Sequence, residues 1–117
     1  MEKLSHNQLQ SASHLWLWNN YPSLRYLSHA NINNLTTETP DARIQMAKLK
    51  AIGLVRGVWD YELYYRGVLY AFEFKVGYDH LSPEQIEYQR MIEVNGGKCY
   101  EVRSLEIFKE IVGGIVR

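Results

Sequence analysis

Asp60 and the triplet Glu73-Phe74-Lys75 hold the side chains of this sequence best suited to chemistry. Two carboxylates offer hard oxygen ligands to Mg²⁺ or Mn²⁺, and the backbone carbonyl of Phe74, between Glu73 and Lys75, could supply a third oxygen. An ion held there lowers the pKa of a water and shields the charge of a phosphate. Lys75 beside it could orient a nucleophile or stabilise charge developing on the phosphate. The plainer alternative is a salt-bridge ladder in which Lys75 neutralises its neighbours.

Two strands must position these groups. Residues 58–65 and 68–76 are dense in aromatic and β-branched residues and hinge at Arg66-Gly67, which predicts a hairpin. Side chains alternate along a strand, so Phe72 and Phe74 face one way and Glu73 and Lys75 the other, beside Leu69 and Ala71. Those small apolar neighbours imply that the charged face is at least partly covered. A two-residue loop at Arg66-Gly67 sets Tyr65 opposite Val68 and, in the same register, Asp60 opposite Glu73. A symmetric four-residue loop gives the same pairing; a three-residue loop without a bulge parts the two acids. Directly opposed like charges destabilise a sheet, so this register asks for a cation between them or a protonated carboxyl.

The rest of the chain supplies the frame. Leu9, Ala12 and Trp16 recur at helical spacing and predict an amphipathic helix over 5–19, stopped by Asn19-Asn20-Tyr21-Pro22. A strand is expected over 24–32, a loop rich in Asn, Thr and Pro over 33–41, and a second helix over 41–52, ended by Gly53. Ser82-Pro83 opens a third helix that Gly96-Gly97 closes; residues 98–103 read as a strand, and Ser104 caps a last helix running to residue 112. The order α-β-α-β-β-α-β-α predicts an α/β domain with a mixed central sheet flanked by helices. Ser82-Pro83-Glu84-Gln85 fits a capping box, with Gln85 at its N3 position. Gln85 also heads the stripe of Tyr88 and Ile92, where a buried amide needs partners and the carboxylates are candidates.

The 117 residues suit one domain, and 46% hydrophobic with 22% charged residues is the mix of a globular protein, which excludes disorder, collagen and coiled coil. No apolar run approaches the ~18 residues of a membrane span, and the first residues lack the apolar stretch of a signal peptide. A single cysteine, Cys99, excludes an intramolecular disulfide framework and a thiolate zinc cluster, so a reducing cytoplasm is the expected compartment. Charge balances at 13 basic and 13 acidic residues but is uneven: residues 1–57 hold six basic and three acidic side chains, and residues 58–117 hold seven and ten. That split fits a phosphate-binding surface beside a metal-binding one. His6, His14, His29 and His80 show no i, i+4 pair and no ligand spacing, so no histidine-based zinc site is expected. Trp18 and the nine tyrosines include possible base-stacking platforms, although core and interface roles are their default.

Gly57-Val58-Trp59-Asp60, the hairpin, Phe72-Glu73-Phe74-Lys75, Leu81-Ser82-Pro83-Glu84-Gln85, Gly96-Gly97 and Val102-Arg103-Ser104 together resemble the virus-type replication-repair nuclease (VRR-NUC) domain of the PD-(D/E)XK superfamily. The upstream segment Lys50-Ala51-Ile52-Gly53-Leu54-Val55 looks similar too, and the resemblance runs from residue 5 to 112. It implies a restriction-endonuclease-like fold and a metal-dependent endonuclease acting on DNA phosphodiesters. Asp60, Glu73 and Lys75 match the catalytic positions, and Gln85 matches a glutamine that helps order the site. It further implies a homodimer cutting branched DNA or Holliday junctions in replication, recombination or repair, in a bacterial or phage-infected cell. The alternatives are a flap or single-strand-end nuclease and a non-catalytic DNA-binding module. Lys50, in the resembling segment, is a candidate to grip DNA phosphates, with Arg43 on the same helix face and Lys48 and Arg56 nearby. Asn31 and Asn33 lie near an asparagine position of the family. Two features depart from it. Many relatives carry a glutamate in the first helix that can join the metal, where this chain reads Ser5-His6-Asn7-Gln8, which points to a one-metal site or a weaker one. Trp59 is bulkier than the residue usual before the aspartate.

Overall fold

The computed structural model describes residues 4–31 and 40–117. Its elements are α1 (His6–Asn20), a 3₁₀ turn (Pro22–Leu24), β1 (Ser28–Ala30), α2 (Pro40–Ala51), β2 (Tyr61–Tyr65), β3 (Val68–Phe74), α3 (Pro83–Val94), β4 (Lys98–Val102) and α4 (Leu105–Ile115). The order is the one the sequence predicts. The sheet runs β1-β2-β3-β4, with β1 and β3 antiparallel to β2, and β4 parallel to β3. Parallel neighbours need a crossover, and α3 supplies it.

The strand expected over 24–32 is reduced to three residues. Pro22 starts a 3₁₀ turn, and the Leu27 amide closes a further turn onto the Leu24 carbonyl, so only Ser28–Ala30 reach the ladder opposite Leu63–Tyr61. The loop expected over 33–41 falls outside the described residues except for Pro40 and Asp41, which form the first turn of α2.

The β2–β3 hairpin turns on two left-handed residues, Arg66 at φ 48° and Gly67 at φ 83°. That twist is what a two-residue hairpin loop requires. Tyr65 therefore pairs with Val68 and Tyr61 with Phe72, which brings Asp60 level with Glu73 just beyond the last pair.

One face of the sheet forms the core. Tyr61, Leu63, Phe72, Phe74 and Val102 pack against Leu9 and Leu17 of α1 and Phe108 and Val112 of α4, all at most 1% exposed. The Phe108 ring lies 5.2 Å from Phe72 and 5.8 Å from Phe74. On the opposite face α3 lies close enough for Gln85 to reach Glu73 and Tyr88 to reach Glu62. Gly57, at φ 87°, precedes Asp60, and a Cβ there would sit 2.7 Å from the Glu84 backbone. Glycine thus lets the chain leading into Asp60 pass against the first turn of α3. By contrast, α2 buries none of its residues. Among the described residues, no helix is long and apolar enough to cross a membrane.

Candidate active site

Asp60 and Glu73 are each 2% exposed, although carboxylates are almost never buried without partners. The backbone resolves part of this cost. The Asp60 amide donates to Glu73 Oε1 at 3.1 Å, and the Phe74 amide donates to Asp60 Oδ2 at 2.9 Å. Phe74 thus supports the acids through its N–H, while its carbonyl lies between Glu73 and Lys75 in sequence.

Lys75 Nζ stands 3.3 Å from Glu73 Oε2 and donates to Gln85 Oε1 at 3.2 Å. Gln85 Nε2 donates to Glu73 Oε2 at 2.8 Å. The same Gln85 closes the capping box of α3: its Oε1 accepts from the Ser82 amide at 2.9 Å, and its own amide donates to Ser82 Oγ at 3.2 Å. The cap and the site are therefore one arrangement, in which the helix start holds the amide rigidly against the carboxylate.

His6 completes the cluster. Its Nε2 lies 2.9 Å from Asp60 Oδ2, and ligand atoms of His6, Asp60 and Glu73 all fall within 4.8 Å of one another. Ser5 fixes the position of His6 by capping α1 in a reciprocal box with Gln8. The histidines show no ligand spacing along the chain, and no histidine-based zinc site is expected from it; the partner of His6 is an aspartate 54 residues away, which spacing does not reveal. The usable signal was the first-helix segment itself: in Ser5-His6-Asn7-Gln8, histidine is the one strong metal ligand.

The charges are unbalanced. Burial, together with the negative charge of Asp60, pushes the Glu73 carboxyl up to about 7 despite the pull of Lys75. Burial pulls the His6 imidazole down, but the hydrogen bond and charge of Asp60 outweigh it and raise it on balance. A buried acid that favours its proton is a site short of positive charge. Two carboxylate oxygens and an imidazole nitrogen suit a divalent first-row ion, so the donor set fits a metal of this kind.

Arg56 reaches the cleft lined by His6, Asp60, Glu73, Lys75 and Gln85. Lys48 lines a separate depression on α2 with Ile44 and Leu49, and Arg43 and Lys50 are exposed on the same helix. Asn31 buttresses the site from behind: its side chain donates to the Trp59 carbonyl at 2.7 Å and to Glu62 at 3.0 Å, and its amide donates to the Asp60 carbonyl. Asn33 lies outside the described residues. The bulk of Trp59 is accommodated by burial, and its indole N–H donates to the Gln85 carbonyl at 2.9 Å. Two further groups support the site. Glu62 gathers Tyr88 and His29 as well as Asn31. Arg103 donates to the Gly77 and Asp79 carbonyls and so ties down the loop between Lys75 and Gln85.

The sequence matches no family model, and no curated protein is similar to it. The fold, however, matches a solved structure described as a VRR_NUC domain protein, with a TM-score of 0.71. The match covers 97% of this chain and 89% of the other, at 18% sequence identity. The chain thus has the architecture of that protein along nearly its whole length.

Proposed function

We propose that this chain is a single-domain, divalent-metal-dependent endodeoxyribonuclease, structure-specific for branched DNA. The observation that carries the reading is the meeting of His6, Asp60 and Glu73 with the Lys75 ammonium in one cleft, on a fold shared with a VRR_NUC domain protein. His6, Asp60 and Glu73 would hold Mg²⁺ or Mn²⁺, with the Phe74 carbonyl as a further oxygen. The ion supplies a water of lowered pKa and shields phosphate charge. Lys75, 12% exposed and held by Glu73 and Gln85, keeps an ammonium at the cleft wall for a phosphate oxygen. Gln85 fixes both Glu73 and Lys75 through its cap. Arg56 meets phosphates at the mouth of the cleft, and Arg43, Lys48 and Lys50 offer α2 to the more distant backbone.

His6 also bears on the choice between the two classes of function. An empty first-helix position would favour a DNA-binding module without catalysis. An imidazole 2.9 Å from Asp60 fills that position with a competent ligand, and catalysis is the better reading. A homodimer acting on replication or recombination intermediates in the cytoplasm of a bacterial or phage-infected cell fits a 13.7 kDa domain that must hold two duplex arms.

The test is cleavage of duplex, flap and four-way-junction DNA with Mg²⁺ and with Mn²⁺. Wild type should cut the branched substrates, flap or junction, faster than the duplex, and Lys75→Ala should lose ~100-fold or more in rate while binding DNA within a few-fold. Lys75→Ala cutting at the wild-type rate would remove Lys75 from the chemistry. Absence of wild-type cleavage with either ion would overturn the nuclease reading.

A further inference from the structure

One exposed face of α1 is unlike the surface of an ordinary helix. None of its fifteen residues is Asp, Glu, Lys or Arg, although most of it is at least partly exposed. Asn7, Gln10, Ser11 and His14 recur at i, i+3, i+4 and i+7, which places them on one stripe. With Ala30 and Tyr61 they line a second cavity. Asn7 lines this cavity and the metal cleft alike, so the two are neighbours that share a wall. Gln10 reaches back toward the Asp60 carbonyl at 3.5 Å. His14 Nδ1 is bonded to the Tyr61 hydroxyl at 3.0 Å, which leaves Nε2 as the ring's second polar atom. The walls therefore present amides, a hydroxyl and an imidazole, with no acid to repel a phosphate.

The stripe ends on an aromatic platform. Trp18 follows His14 by one turn and is 40% exposed. Arg25 lays its guanidinium 4.7 Å from the centre of the Trp18 ring and donates from Nε to the Trp18 carbonyl at 3.0 Å. His14 meets the indole at a tilt of 49° and does not cover it by stacking. An indole braced by a guanidinium offers a flat surface to a nucleobase and a positive charge to its phosphate. From His6 to Trp18 the helix rises roughly 18 Å, the reach of a short oligonucleotide.

We propose that this face of α1 binds an unpaired DNA strand leaving the metal cleft, along Asn7, Gln10, Ser11 and His14, with one base against the Trp18–Arg25 pair. The inference deepens the nuclease reading and rests on it for the direction of the strand. Stacking on an aromatic is sequence-tolerant, so the track reads the single-stranded state of the DNA and no particular base.

The experiment measures binding of labelled oligo(dT) and of a blunt duplex to the full chain in EDTA at one fixed salt concentration. The variants are Trp18→Ala, Trp18→Phe and Ser11→Glu, each checked for wild-type melting. Trp18→Ala should weaken oligo(dT) binding ~5-fold or more and leave duplex binding within ~2-fold; Trp18→Phe should restore most of the loss. Ser11→Glu, an exposed change at a helical position, should weaken oligo(dT) through repulsion of the phosphates. Equal affinity of wild type, Trp18→Ala and Ser11→Glu for oligo(dT) would overturn the track, as would equal losses for duplex and single strand. Because this binding is read without metal, it separates from the nuclease reading. A wild type that binds oligo(dT) through Trp18 but never cleaves DNA overturns the nuclease reading alone.

Discussion

Gln85 donates to Glu73 at 2.8 Å while the oxygen of the same amide closes the cap of its own helix. One side chain thus couples the start of α3 to the charged face of β3. The two duties separate on substitution. Glutamate serves equally well at the N3 position of a capping box, so Gln85→Glu should fold normally. It removes the amide donor to Glu73 and adds a third carboxylate beside an acid already pushed up to about 7. Cleavage should fall ~10-fold or more, or the Mg²⁺ and Mn²⁺ requirements should change. Rates matching wild type with both ions would leave Gln85 a cap only.

His6 should set which ion the site prefers. An imidazole beside two carboxylates shifts a site from Mg²⁺, which takes oxygen ligands, toward Mn²⁺ and the later first-row ions. Stabilisation measured by thermal unfolding should therefore be greater for Mn²⁺ than for Mg²⁺ at equal concentration. His6→Glu should narrow that difference. If His6→Ala responds to both ions as wild type does, the imidazole is not a ligand.

Glu73 gives the metal-free protein a defined pH dependence. Its carboxyl titrates at about 7 in the fold against an ordinary value of 4.5, so the folded state holds a proton that the unfolded chain has released. Stability from this source is complete below the unfolded value and is lost as pH rises through that window. His6, also raised, loses its contribution in the same direction as pH climbs past its folded value. In EDTA, wild type should therefore lose stability relative to Glu73→Gln between roughly pH 5 and pH 7. With Mn²⁺ the trend should reverse, because the ion must displace the proton. A constant difference between the two proteins across that range would show that Glu73 titrates normally.

The parts of the site that were legible in the sequence are those set by local periodicity. The two-residue loop at Arg66-Gly67 and the alternation of β3 together bring Asp60 level with Glu73 and place Lys75 on the same face. The spacing of Ser82, Gln85 and Tyr88 displayed both duties of Gln85. His6 was not legible, because a first-turn residue meets Asp60 only through the packing of α1 on the sheet, which no spacing records. The Glu62 cluster is not legible for the same reason, since Asn31, Glu62 and Tyr88 come from three separate stretches of the chain. The strand expected over 24–32 failed on a local rule: the turn begun at Pro22 takes up the residues that would have paired. For α2, the basic residues were correctly placed on a helix, but nothing in their spacing could say where that helix lies relative to the cleft.

The most direct measurement is thermal unfolding of wild type and Asp60→Asn, in EDTA and in millimolar Mn²⁺. Two buried carboxylates side by side, both ionised, repel with ~4 kcal/mol at an effective dielectric of about 20 and a separation of about 4 Å; a proton on Glu73 avoids part of that cost, and an ion between the acids relieves it in the proton's place. Wild type should melt higher in Mn²⁺ by ~3 °C or more. Asp60→Asn should show little response to the ion and no cleavage. Identical melting of wild type with and without Mn²⁺, matched by Asp60→Asn, would contradict a metal site at His6, Asp60 and Glu73 and leave the cluster a salt-bridge ladder.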